Sequence, residues 1–314
     1  MTARRLIVSA DDFGLTPAVD RGILAAVEAG AVTSVGIMAN LVEPAALWRL
    51  ERAPSLGVHL NLTTGRPLCA PAAVPSLVDG RGEFLSLATL TRRALAGRIR
   101  TGEVERELGA QIRRVRELGV AVDHLDSHEH VHLLPGVTGA VVRLARTLGP
   151  RRIRSHRPLV LAAGGRRAAE TIAYYRSHPR RVATHAVKRL LALRLRLAGL
   201  VMPDGMVAPS LLAAPVAGGP LRQWEAIAAA LPAGTWELVV HPADLRVAGT
   251  ASDLERLGDL VESRAAELAA LTSPEFPGLL GAHGVDLVPF TAIPAGDARA
   301  AAGVPVSSTR ESHA

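Results

Sequence analysis

Cysteine is nearly absent: Cys69 is the single one among 314 residues. An internal disulfide and a cysteine-rich zinc site are both excluded. Lysine is as scarce. Lys188 is the single lysine among 36 basic residues, so the net charge of +7 is carried by arginine. Aromatic residues make up 3% of the chain, so the core has to be built from Ala, Leu and Val. The aromatic platforms on which single-stranded nucleic acids stack are missing as well. The arginine excess therefore reads as a bias of the whole chain and not as a nucleic-acid footprint. No apolar stretch approaches the roughly 20 residues that span a bilayer. The apolar run nearest the N-terminus, Leu6-Ile-Val8, is too short for a signal-peptide core. A cytoplasmic protein is expected, in which the Asn61-Leu-Thr63 sequon has no meaning. Sequence repeats and glycine-rich phosphate loops are also lacking.

What is present is an alternation of strand and helix patterns. Leu6-Ile-Val8 runs into Asp11 and Asp12, and a helical pattern starts at Pro17 and ends before Gly30. Further strands are expected at Ala31–Asn40, Leu56–Thr63, Val120–His132, Arg152–Arg154, Trp236–His241 and His283–Val288. Helices are expected at Pro44–Glu51, Leu87–Ile99, Val104–Leu118, Leu133–Leu148, Leu221–Leu231 and from a Ser252 cap to Leu271. Cys69–Glu83, rich in Pro, Gly and Ala, is expected to form a long loop over one face. Such alternation predicts an α/β fold with a mostly parallel sheet, open or closed into a (β/α) barrel-like form. Residues 1–293 are read as one domain. Within it, 159–206 is an inserted helical segment or crossover containing a strongly basic helix pattern, His185–Leu200. Residues 294–314 are read as a disordered tail.

Four of the expected strands end on ionisable residues: Asp11 and Asp12, His59, the Asp126–His132 cluster, and His241. In a parallel sheet these ends share one face, the face on which such folds place their chemistry. A lone carboxylate there can merely cap a helix, and a lone histidine can be structural. Four converging by chance is much less expected. Histidine and carboxylate without cysteine suit one divalent ion: Zn²⁺, or a harder ion such as Mg²⁺, Mn²⁺ or Co²⁺. Asp126-Ser-His-Glu-His-Val-His132 offers more candidates than a site needs. On an extended chain His128, His130 and His132 share a face. On a helix His128 and His132 stack instead, and spacing does not choose. Asn40 either bonds a sugar or amide or forms a turn.

Asp11-Asp-Phe-Gly14, Gly57-Val-His-Leu-Asn-Leu-Thr63, Asp126-Ser-His-Glu-His-Val-His132 and Val239-Val-His-Pro242 occur in the order seen in the YdjC-like carbohydrate deacetylases, which include the chitooligosaccharide deacetylases. The chain resembles that family from residue 4 to about residue 290. The resemblance implies a metal-dependent hydrolase that removes an N-acetyl group from an N-acetylglucosamine-type sugar or glycoconjugate. It implies metal ligation by Asp12, His59 and His128. Similarity to the wider polysaccharide deacetylases implies Asp11 as base and His241 as acid, with Arg154 orienting the base. Asn40, Asn61, His130 and His132 are the expected substrate contacts. The expected partner is a small N-acetylated sugar, with no nucleic acid and no membrane span; a homo-oligomer is left open. The same ligands would serve another amidohydrolase or a phosphoesterase, and a non-catalytic sugar-binding protein is the remaining alternative.

Overall fold

The structure is a computed structural model. It describes residues 3–162, 167–214, 216–247, 250, 255–257 and 261–294. Ser252, residues 163–166 of the expected inserted segment and all of the expected tail except Pro294 lie outside the described residues.

The central strand is β1, Arg4–Phe13, buried from Leu6 onward. A strand buried on both faces needs parallel neighbours and helical cover, and β1 has both. It pairs in parallel with β2 (Ser34–Ile37) on one side and β7 (Gly234–Val240) on the other. The sheet continues through β3 (Leu56–Leu60), β4 (His124–Ser127) and β5 (Arg152–Ile153), and on the far side to β6 (Gly205–Val207). The order is β5-β4-β3-β2-β1-β7-β6, with β8 (Val285–Leu287) added at the start of β1. Parallel bridges Arg152–Val201 and Pro158–Met206 link the β5 side to the β6 side. The sheet is thus a parallel, curled half-barrel, as the alternating pattern predicts.

Helices flank the sheet. In α1 (Pro17–Glu28), Thr16 caps the start by accepting from Val19 N at 3.3 Å, and Pro17 supplies a preset φ. Next come α2 (Leu87–Leu95), α3 (Thr101–Glu117), α4 (Val137–Leu148), α5 (Arg167–Ser177), α6 (Pro179–Leu197), α7 (Pro220–Ala230), α8 (Val261–Leu271) and α9 (Glu275–Ala282). No helix among the described residues is long and apolar enough to cross a membrane.

Several expected elements shift. The strand expected to end at Asn40 stops at Ile37, because Met38 O turns to accept from Leu41 N and Val42 N. The basic helix begins at Pro179, a residue suited to a first turn, and not at His185. The helix expected from Leu133 starts at Val137, after a 3-10 turn over His128–Leu133 and a left-handed Gly136. Residues 69–83 are not a bare loop. They carry a 3-10 turn at Pro71–Ala73 and an antiparallel bridge from Val78 to Phe84, and Val74, Leu77 and Phe84 are buried.

Candidate active site

The carboxyl ends of β1, β3, β4, β5 and β7 meet on one face, so a strand register that pairs Ala10 with Val240 and His59 with Asp126 sets the site. Along β1 the register slips: Ala10 pairs with Val35 but Phe13 with Ile37, which leaves one extra residue on β1. This bulge falls on the two aspartates, and Asp12 adopts a left-handed φ of 74°. Aspartate tolerates that conformation better than most residues. Adjacent strand residues ordinarily diverge, but here the bulge aims both carboxylates at one point. His59 Nε2 lies 3.4 Å from Asp12 Oδ1 and 3.9 Å from Asp11 Oδ2.

Asp12 is buried and shared. Its Oδ1 is 2.8 Å from His128 Nδ1, and its Oδ2 accepts from Arg264 Nη2 of α8 at 2.7 Å. Arg264 therefore fixes the carboxylate so that its other oxygen faces two imidazoles. Burial raises the Asp12 pKa, but the histidines His128 and His59 outweigh it and hold the carboxyl well below its ordinary range. His59 Nδ1 sits 2.9 Å from Asp126 Oδ1, the carboxylate–histidine pairing that orients a metal-ligating ring. Burial disfavours the charged His59 ring, yet the Asp126 and Asp11 carboxylates and a hydrogen bond to Asp12 push its pKa up to about 10.

Arg154, fully buried after β5, holds the other side. It donates Nη1 to Asp11 Oδ2 at 2.6 Å and Nη2 to Asp11 Oδ1 at 2.7 Å, a two-pronged grip. The same guanidinium lies 2.9 Å from Asp126 Oδ2 and donates Nε to Glu237 Oε1 at 2.8 Å. Three carboxylates from three strands thus share one cation. Burial pushes the Glu237 carboxyl up, with Arg154 pulling against it. His241 lies on the open side, a third exposed, with Nε2 4.0 Å from Asp11 Oδ2. Its backbone N–H donates to Glu267 Oε2 at 2.5 Å.

The histidine cluster follows neither expected geometry. Glu129 and His130 both have left-handed φ, 50° and 59°, so the chain reverses after His128. The three rings separate. His128 meets Asp12. His132 is fully buried, its Nδ1 2.5 Å from Ser127 Oγ. His130 packs on His156 with ring centroids 4.2 Å apart. Burial keeps the His130 and His156 rings well below the ordinary histidine pKa and pushes His132 down to about 3. The His132 ring has no access to solvent. Asn40 and Asn61 are spent on each other and on their loop. Asn61 Nδ2 donates to Asn40 Oδ1 at 3.0 Å, and Asn40 Nδ2 donates to the carbonyls of Thr64 and Arg66. Asn40 thus takes part in forming its loop.

Among the described residues two groups could hold a cation: Asp12 with His59 and His128, and Asp11 with His59 and Asp126, the ligand atoms of each within 4.8 Å of one another. The second lies against Arg154, which already engages both of its carboxylates and would repel a dication. The first carries one carboxylate and two imidazoles, and His128 is partly open to solvent. Its donor set fits a divalent ion. The residues that the strand-end pattern did not indicate are Asp126 as the partner of His59, Glu237 and Glu267, His156, and Arg264. Asp126 stood in view within the cluster. Arg264 comes from a helix 252 residues away from Asp12, and no local spacing points to it.

Residues 5–282 match the family described as YdjC-like protein. A carbohydrate deacetylase of Geobacillus stearothermophilus is 46% identical over 162 residues, covering 49% of this chain and 62% of that protein. A human carbohydrate deacetylase is 40% identical, covering 51% of this chain and 50% of that protein. A chitooligosaccharide deacetylase of Yersinia pestis is 40% identical, covering 48% and 60%. The chain thus spans less than two thirds of the length of these relatives. A crystal structure from Enterococcus faecalis V583, provisionally named a cellobiose-phosphate cleavage protein, superposes with a TM-score of 0.67 at 24% identity, covering 93% of this chain and 99% of that one; it speaks to the fold alone. With the family match running through all five strand ends that build the site, the chain belongs to the YdjC-like proteins.

Proposed function

We infer that the chain is a metal-dependent carbohydrate deacetylase, which hydrolyses the acetamide of an N-acetylglucosamine-type sugar or glycoconjugate to acetate and a free amine. The observation that carries this reading is the pairing of a cation-competent trio, Asp12, His59 and His128, with Asp11 held beside it on Arg154. The deacetylase names of the relatives support the same substrate class.

Asp12, His59 and His128 would hold the ion. Two imidazoles and one carboxylate suit Zn²⁺, Co²⁺ or Mn²⁺ better than Mg²⁺, which prefers oxygen ligands. When bound, the ion supplies Lewis-acid polarisation of the amide carbonyl and a lowered pKa for water. Asp11 accepts the proton of the attacking water. Arg154 fixes both Asp11 oxygens in place, and because it also serves Asp126 and Glu237 it neutralises Asp11 only in part. His241, in its protonated form on the open side, donates to the departing nitrogen. An amine leaves poorly unless protonated, so a donor separate from the base is required. Asp126 and Arg264 position the His59 ring and the Asp12 carboxylate.

The test is acetate release from a panel of N-acetylated mono- and oligosaccharides and glycoconjugates, with the metal stripped and restored. Release that depends on added metal is expected. Hydrolysis of cyclic amides or phosphoesters with none of N-acetyl sugars would move the reading to another metal hydrolase. Tight metal binding without turnover on any amide would make the chain a binding protein.

A further inference from the structure

Five of the nine large apolar side chains exposed among the described residues lie on one helix, α6. Val182, Val187, Leu190, Leu193 and Leu197 are each half exposed or more, up to 78% for Leu197. At 100° per residue they fall on the side opposite the face packed on the protein, which carries His185, Ala192 and Leu195. Ile172 of the neighbouring α5 is exposed as well, at 54%. The 19 residues of α6 include no acid and six bases. By the same wheel Arg189 and Arg196 flank the apolar stripe on one side and Arg180 and Arg194 on the other. Among the described residues Arg180, Arg189 and Arg194 have no acidic partner.

We propose that the outer face of α6 docks on an anionic phospholipid surface. An apolar stripe bordered by arginines, on a helix lying flat against its own protein, is the form of an interfacial helix. The apolar side chains enter the boundary between headgroups and acyl chains while the guanidinium groups stay at the phosphates. The charge selects this occupant over a second copy of the chain. Two such faces packed together would oppose arginine to arginine with no carboxylate on α6 to answer them.

The experiment is co-sedimentation of the full chain with vesicles of phosphatidylcholine alone and of phosphatidylcholine mixed with an equal amount of phosphatidylglycerol. Binding to the anionic vesicles only, weakening as salt is raised, is expected. Leu190→Gln with Leu193→Gln should weaken it by at least about tenfold, and Arg189→Gln with Arg194→Gln by a similar factor. All four side chains are solvent-facing, so folding should survive. As a measurement free of substitution, amide exchange in the unmodified chain should slow over residues 182–197 when anionic vesicles are added. Absence of binding to anionic vesicles, equal binding to both kinds, or full binding by the double leucine variant would each overturn the proposal. So would a dimer of the unmodified chain that is abolished by the double leucine variant, since the face would then belong to a second copy.

Discussion

Asp11 and Asp12 are neighbours in the chain with separate partners, and that separation is testable. Asp12 faces two imidazoles and Arg264, whereas Asp11 is gripped by Arg154. Asp12→Asn removes the one anionic ligand of the trio, so metal affinity should fall sharply. Asp11→Asn keeps the shape and cannot accept a proton. It should retain the metal and lose turnover by at least the ~10²-fold at the low end of acid–base catalysis. Metal analysis of both variants beside acetate-release rates checks this, and loss of metal from Asp11→Asn alone would reverse the pair. His241 is the second residue-scale case. It stands 4.0 Å from Asp11, on the solvent side and apart from the cation-competent trio. His241→Ala should keep the metal and lose turnover on N-acetyl sugars. The loss should shrink on an activated acetyl ester, whose leaving group needs no proton. Equal losses on the two substrates would remove the donor role.

Elements decide how these side chains meet. A Cβ on Gly36 of β2 would lie 3.0 Å from both His59 Nδ1 and Asp126 Oδ2, inside the space the pair occupies. Gly36→Ala should push the supporting carboxylate off the ring and weaken metal binding by roughly 10- to 100-fold, read by zinc titration. At the start of α1, half-buried Asp20 accepts from Gly14 N at 2.5 Å. Burial pushes its pKa up to about 6, against that hydrogen bond and Arg49. In the unfolded chain the carboxyl titrates near 4. The folded state therefore gains from the proton below about pH 4, and that gain is lost as pH rises through about 6. Asp20→Asn should raise the melting temperature relative to the parent above pH 6, with the difference vanishing towards pH 4. Thermal melts across that range decide it, and a difference independent of pH would show that Asp20 does not titrate there. The strand ends themselves were legible in the sequence, because an apolar run that stops on an ionisable residue marks the end of a buried parallel strand. The path of the histidine cluster was not. Two successive left-handed residues, Glu129 and His130, break both the period of 2 and the period of 3.6. Nor were Arg264 and Glu237 legible, since each meets the site through packing with residues remote in sequence, where local pattern carries no signal. Asn40 and Asn61, polar residues at strand exits, bond each other and their own loop, a partnership that local pattern does not announce.

Across the whole molecule, binding of an ion by the folded state alone has to appear as stability. Ligand at 100 times its dissociation constant stabilises by about 2.7 kcal/mol. Zinc should therefore raise the melting temperature of the parent and of Asp11→Asn, and leave Asp12→Asn and His59→Ala nearly unmoved. A scan of melting temperature against zinc concentration reads this without any substrate. An equal rise in all four would place the ion elsewhere. The shared guanidinium has a further consequence, for the order in which the molecule is assembled. Arg154 answers carboxylates from β1, β4 and β7, which lie 143, 28 and 83 residues away along the chain. Until the last of these strands has docked, a cation destined for complete burial lacks part of its counter-charge, and burying it early is costly. A growing chain that has released Arg154 but not yet β7 is thus held back from closing its sheet. Arg154 can meet all three carboxylates only when β1, β4 and β7 have come together, so full neutralisation of this cation and the joining of those strands belong to the same stage of folding.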